Sequence, residues 1–210
     1  MAKVITIAQQ KGGAGKTSIA AHLAGYWASK GKSVALLDAD PQASLSTWIM
    51  LREEIYGPDD RLILKPSSGW RATSDIRRVG GKADIVIIDT PPHAEASGRV
   101  AIRAANIVIV PCQLSPMDLW ASEPTLEMIA KQKSKALMVL NRVPPRSRMA
   151  DALSEQMVMQ KFPLAKAMLG QRNAFASSLM QGLSVTEAEP RSRAATEIRA
   201  LAAEIIRKAR

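Results

Sequence analysis

The chain has 210 residues, 29 of them Lys or Arg against 19 Asp or Glu, which gives a formal charge of +10. With 47% hydrophobic and 23% charged residues it lies far from the composition that stays disordered, and its length suits one domain over residues 1–210. A single cysteine, Cys112, excludes an internal disulfide and any paired-cysteine metal or redox motif, and no apolar run approaches the roughly 20 residues that cross a bilayer.

Short apolar runs rich in Val and Ile recur at Val4–Ala8, Ser33–Leu37, Arg61–Leu64, Asp84–Ile88, Asn106–Val110 and Ala136–Leu140. Stretches with helical spacing lie between them, among them Thr17–Ser29, Ala96–Ala104 and Leu119–Lys131. Strands buried on both faces read as continuous apolar runs, and their alternation with helices predicts an α/β fold, a mostly parallel twisted sheet flanked by helices. Gly31 marks the end of the first helix, Pro124 falls inside or near the start of another, and Pro144 and Pro145 close the segment after the sixth strand. From about Met149 the pattern turns mostly helical, and in the last helix Ala194, Ile198, Leu201, Ala202 and Ile205 fall on one face that is expected to pack on the sheet. Aromatic residues are only 4%, so the core is expected to be aliphatic. Trp120, Cys112 and the methionines Met149, Met157, Met159, Met168 and Met180 are assigned to that core. The N-terminus has no signal-peptide pattern, which predicts a cytoplasmic protein.

The densest signal is Gln10-Lys11-Gly12-Gly13-Ala14-Gly15-Lys16-Thr17-Ser18, directly after the first strand and opening the first helix. Glycines at this place let backbone amides turn inward around phosphate oxygens, and the helix N-terminus adds partial positive charge. Lys16 is placed to reach the β- and γ-phosphates and the Thr17 hydroxyl to ligate Mg²⁺, the arrangement of a P-loop NTPase. Two acids end apolar strands, in Asp38-Ala39-Asp40-Pro41 and in Ile88-Asp89-Thr90-Pro91. Carboxyl ends of strands are where open α/β sheets bind ligands, and phosphoryl transfer asks mainly for positioned charge. His22 and His93 stand without metal-ligand partners at useful spacing, so Mg²⁺ is the one metal expected.

The standard loop has Gly where this chain has Gln10, and it lacks the extra lysine at Lys11. In both respects the chain resembles the deviant Walker A ATPases of the ParA/MinD family, whose loop reads KGGxGKT. The resemblance implies a dimer with ATP sandwiched between subunits, in which Lys11 reaches the partner's phosphates. It also implies that Asp38 binds Mg²⁺ through water, that Asp40 orients the attacking water, and that Asp89 supports the metal. Asn141 stands where family members hold adenine. Ser115-Pro116-Met117-Asp118-Leu119-Trp120 is similar to a proline-containing segment near the nucleotide and the dimer interface. The chain most resembles short ParA proteins without an N-terminal DNA-binding extension.

Residues 141–210 hold 12 of the 29 basic groups but only 6 of the 19 acidic ones. Such an excess favours a polyanion, and the resemblance implies sequence-independent binding of nucleoid DNA. Lys161, Lys166, Arg172, Arg191, Arg193, Arg199, Arg207 and Lys208 are the available groups, with Arg172, Arg191, Arg193 and Arg199 the chosen candidates. The family pattern further implies partitioning or positioning of a plasmid, chromosome or protein cluster, with a ParB-like or cargo-adaptor protein stimulating hydrolysis. Two alternatives share the loop: a metabolic P-loop ligase or kinase-like enzyme, and a MinD-like membrane-associated regulator. The last helix has no Phe or Trp on its apolar face, so no membrane is expected.

Overall fold

The computed structural model describes residues 2–67, 71–92, 95–145 and 148–209. Six strands, β1 (Lys3–Ile7), β2 (Val34–Asp38), β3 (Leu62–Pro66), β4 (Ile85–Asp89), β5 (Ile107–Gln113) and β6 (Ala136–Asn141), form one sheet. They run parallel in the order β3-β2-β4-β1-β5-β6. The crossovers carry α1 (Lys16–Ser29), α2 (Ser44–Tyr56), α3 (Ala72–Val79), α4 (Glu95–Ala104) and α5 (Pro116–Lys131). Beyond β6 come α6 (Arg148–Met159), α7 (Asn173–Met180), α8 (Val185–Ala188) and α9 (Arg193–Lys208).

Alternate strand residues point to opposite faces, and each face has its own helical cover. Ile5, Ile7, Val34, Leu36, Ile85, Ile87, Ile107, Ile109, Leu137 and Val139 pack with α1, α2, α8 and α9. On the other face Val108, Val110, Cys112, Met138 and Leu140 pack with residues of α5 and α6, while Val4, Ala35, Leu37, Val86 and Ile88 meet α3 and α4. This double burial is why the strands read as unbroken apolar runs. The predicted stripe of α9 is core as expected, with Ala194, Ile198, Leu201, Ala202 and Ile205 all fully buried.

Strand ends reach one to three residues beyond several apolar runs, because ladder hydrogen bonds continue through Asp38, Asp89, Gln113 and Asn141. The segment between α6 and α7 is extended rather than helical. It bridges to β6 at Met138–Leu164 and continues to Val143–Gly170, covering the sheet's edge.

Among the residues assigned to the core, Cys112 and Met157 are there and Met168 is partly buried. Trp120, Met159 and Met180 are not: they are 59%, 82% and 79% exposed. In α5 the buried face is Asp118, Leu119, Ser122, Thr125 and Ile129, which leaves Met117 and Trp120, three apart, together on the outer face. The side chain of Met149, and His93 altogether, lie outside the described residues.

Candidate nucleotide site

β1 lies between β4 and β5, where the strand order reverses direction, and its carboxyl end opens into the glycine loop. Gly13 (φ +74°) and Gly15 (φ +95°) take left-handed conformations that side chains resist, and Gly15 begins α1. Two of the loop's carbonyls are engaged by side chains: Gln113 Nε2 donates to Gly13 O at 3.1 Å, and Asn141 Nδ2 donates to Ala14 O at 2.8 Å. Gln113 and Asn141 are register partners at the ends of β5 and β6, so the sheet itself sets this pair of clasps. With these two carbonyls engaged, amides of the loop are available to an anion.

Lys16 is buried at the start of α1. Burial lowers its ammonium from the usual lysine range, and the charges of Asp89 and Asp40 pull it back up. Ser18, one residue past Thr17, is exposed and lines the adjoining cavity, and Gly12 stands exposed at the loop's outer edge. Thr17 Oγ1 donates to Asp89 Oδ2 at 2.6 Å, while Asp89 Oδ1 is buried without a hydrogen-bond partner. Burial pushes the Asp89 carboxyl up to about 7, with Asp38 and Asp40 adding to the rise and Thr17 and Lys16 opposing it. Asp38 pairs with Asp89 across β2 and β4. Its Oδ2 accepts from Ser46 N (2.9 Å) and Ser46 Oγ (2.7 Å), which fastens the first turn of α2 to the strand end. Asp40 is half-buried in the following turn and accepts from Gln42 N at 2.9 Å.

A hydroxyl, carboxylates and an orphaned buried oxygen make a hard-oxygen donor set suited to Mg²⁺. Among the described residues no three His, Cys, Asp or Glu side chains are grouped to hold a metal alone. The set therefore fits an ion that arrives with phosphates and keeps part of its water shell, held by Thr17 with Asp38 and Asp89 behind it.

Lys11 stands at the rim of the loop, its side chain 42% exposed, with Nζ 2.8 Å from Asp118 Oδ1. Burial raises the Asp118 carboxyl, but hydrogen bonds from Lys11 and Ser115 outweigh it and hold the group below the ordinary carboxylate range. Ser115 caps α5, and Gln9 ties the end of β1 to the same helix through Ser122 Oγ (2.8 Å) and Thr125 Oγ1 (3.2 Å).

Beside the loop a cavity of about 260 Å³ is lined by Gly15, Ser18, His22, Asn141, Arg142 and Phe175, with Leu169–Arg172 on a further wall. Arg172 belongs to this wall and is held by Glu197, its Nε 3.0 Å from Oε1, while Glu197 Oε2 accepts from Gly170 N at 3.0 Å. Arg199 donates to Pro190 O and braces the turn before α9. Arg191 and Arg193 are exposed, and among the described residues neither makes an ion pair. The sequence alone brought out neither Gln113 nor Ser46, and of the cavity walls it named Gly15, Ser18, Asn141 and Arg172 as site residues but not His22, Leu169 or Phe175, which come from segments far apart in the chain.

A parallel sheet with a glycine loop at its switch point, a buried lysine and a Thr–Asp pair defines a P-loop nucleotide-binding protein. The family model of the CobQ/CobB/MinD/ParA nucleotide binding domain matches residues 5–185, and the chain belongs to this family of ATPases. It is 29% identical over 209 residues to the Maintenance of carboxysome distribution protein A of Halothiobacillus neapolitanus, covering 96% of this chain and 95% of that relative. In fold it matches a putative plasmid partition protein of Borrelia burgdorferi bound to AMPPNP (TM-score 0.82, 19% identity, 99% of this chain and 100% of that one). It also matches the septum site-determining protein MinD of Pyrococcus horikoshii complexed with Mg-ADP (TM-score 0.80, 20% identity, 98% and 96%).

Proposed function

We propose that this ATPase dimerises on Mg-ATP, binds DNA without sequence preference and positions a cargo through partner-stimulated hydrolysis. The observation that carries the reading is the division of the two loop lysines. Lys16 is buried in the loop where its own phosphates would sit, and Lys11 stands at the rim, free to serve a second subunit once it leaves Asp118. Asp40, near Lys16 and half-buried, is the group we assign to the attacking water. The carboxysome distribution relative aligns over almost the whole of both chains, which favours a large protein assembly as cargo and an adaptor on it as the stimulating partner.

For DNA, Arg191 and Arg193 at the start of α9 are the uncommitted candidates, while Arg172 and Arg199 are engaged within the chain. Nucleoid association follows from that surface. A membrane anchor is disfavoured because α9 spends its apolar face in the core, and among the described residues no helix is long and apolar enough to cross a membrane.

The test is DNA binding as a function of nucleotide. Mg-ATP supports binding and ADP does not, the affinity falls with salt at a log–log slope of about −0.9 per phosphate contacted, and Arg191→Ala with Arg193→Ala, which removes two cations from each subunit of the dimer, lowers that slope by up to about 3.6. Turnover indifferent to DNA and candidate adaptors, yet raised by a small carboxylate, would point to a ligase instead.

A further inference from the structure

On the inner face of α5, where packing against the sheet favours apolar groups, Asp118, Ser122 and Thr125 follow one another at helical spacing and all three are buried. Serine and threonine are also weak helix formers, so the stripe costs α5 both apolar burial and helix propensity. Local sacrifices of this kind gather at functional sites, and the partners of this stripe are the first residues of the phosphate loop.

Gln9, buried two residues past β1, uses every hydrogen-bonding position of its amide. Nε2 donates to Ser122 Oγ at 2.8 Å and to Pro111 O at 3.1 Å. Oε1 accepts from Thr125 Oγ1 at 3.2 Å and, more weakly, from Lys11 N at 3.4 Å. The Pro111 carbonyl can only accept and the Lys11 amide can only donate, so a reversed Gln9 amide would break both contacts. Thr125 Oγ1 in turn accepts from Gln10 N at 3.3 Å, and Ser122 Oγ donates to Asp118 O at 2.8 Å. The backbone from Gln9 to Lys11 is thereby seated on α5. Gly13 and Ala14 are held instead by Gln113 and Asn141, at the ends of β5 and β6. Different elements thus hold the two halves of the loop.

Lys11 is held twice. Asp118 grips the tip of its side chain, whereas Gln9 and Thr125 hold the backbone from which that side chain starts.

We infer that Gln9 and Thr125 are positioning residues for Lys11: they fix its backbone on α5, so that only the side chain moves to reach a second subunit. The inference rests on the proposed action of Lys11 in the partner's site. Without the seat, this backbone has to be ordered on assembly, once in each subunit. Ordering one further residue in each of two subunits weakens a dimer by about 30-fold.

Sedimentation velocity with a non-hydrolysable ATP analogue, beside calorimetric titration with Mg-ADP, tests this, because the proposed reading places ADP in a single subunit. Thr125→Val keeps the side chain's shape without its hydroxyl, and Gln9→Met keeps the length without the amide. Each is expected to weaken the dimer by about 30-fold while ADP binds as it does to wild type. Thr125→Val carries the test if Gln9→Met fails to fold. Thr125→Ser, which keeps the hydroxyl, restores the dimer. Asp118→Asn has the opposite sign, since it frees the tip of Lys11 and leaves the backbone seated.

Gln9 and Thr125 variants that dimerise as wild type does, while Lys11→Ala stays monomeric, would overturn the inference alone. An equal loss of ADP affinity would overturn it too, because the seat would then serve the subunit's own phosphates. So would a Thr125→Ser protein no better than the valine variant. Lys11→Ala that dimerises as wild type does would remove the reading beneath the inference, and the inference with it.

Discussion

Asp118→Asn isolates the contact that restrains Lys11. The carboxylate is buried and the ammonium half in water, 2.8 Å apart. Solvent screening on the lysine side limits such a pair to about 1 kcal/mol. If Lys11 must reach a partner's phosphates, each subunit gives up this pair. A two-fold dimer loses about 2 kcal/mol, or about 30-fold in its dissociation constant. Asparagine keeps the shape but removes the charge, so the variant is expected to dimerise on a non-hydrolysable ATP analogue at protein concentrations lower by up to about 30-fold. The nucleotide-free variant is itself less stable by about 1.5 kcal/mol, about 1 from the lost pair and about 0.5 from the negative charge removed from the first turn of α5, which appears as a fall in melting temperature. Sedimentation velocity over a dilution series, with and without the analogue, measures both states. An unchanged or weaker dimer, with only the stability loss, would show that Lys11 does not leave Asp118 on assembly.

Asp40→Ala should retain ATP and the dimer while turnover falls by at least about a hundredfold, the scale of positioned acid–base groups; normal turnover in a phosphate-release assay removes Asp40 from the chemistry. His22 is buried, which lowers its pKa to about 4, with the Phe175 backbone opposing, and its Nδ1 accepts from Val185 N. The unfolded chain binds that proton near pH 6.5 and the fold resists until about 4. Stability of the nucleotide-free protein should therefore fall as pH drops from about 6.5 to 4, by on the order of 3 kcal/mol, and His22→Asn should flatten this part of a urea-melt series. Glu187→Ala removes the nearer of the two carboxylates on the buried Arg52 guanidinium, whose Nη2 and Nη1 donate to Glu187 Oε1 and Oε2 at 2.8 and 3.2 Å, and leaves it Asp59 Oδ2 at 3.4 Å and Gly182 O at 3.1 Å. A loss of about 2 kcal/mol, the scale of hydrogen bonds to a charged group, with unaltered ATP affinity is expected, and a loss below about 0.5 kcal/mol in the same denaturation assay would contradict it.

The phosphate site was legible because its chemistry is local: Lys11 to Ser18 are consecutive, and the acids at Asp38 and Asp89 end runs whose burial shows in composition. The sheet's double cover was legible for the same reason. What the sequence hid depends on tertiary pairing. Arg172 reads as one more surface cation until Glu197, 25 positions on, is found gripping it. Trp120 reads as core because aromatics usually are, yet Asp118 and Ser122 take the inner face of α5 to serve Lys11 and Gln9. The cavity beside the loop draws on α1, the end of β6, the extended edge segment and α7, and no spacing rule joins His22, Arg142, Gly170 and Phe175 in advance. Asn141 was legible as a candidate site residue, but its bond to Ala14 was not, since it crosses 127 positions.

The central claim, a second subunit reached by Lys11, is tested most directly by the mass of the nucleotide-bound species. Light scattering on the purified chain with Mg-ATP should give a dimer for wild type and a monomer for Lys11→Ala, with ATP still bound to the variant. A Lys11→Ala protein that dimerises on ATP as wild type does would contradict the account.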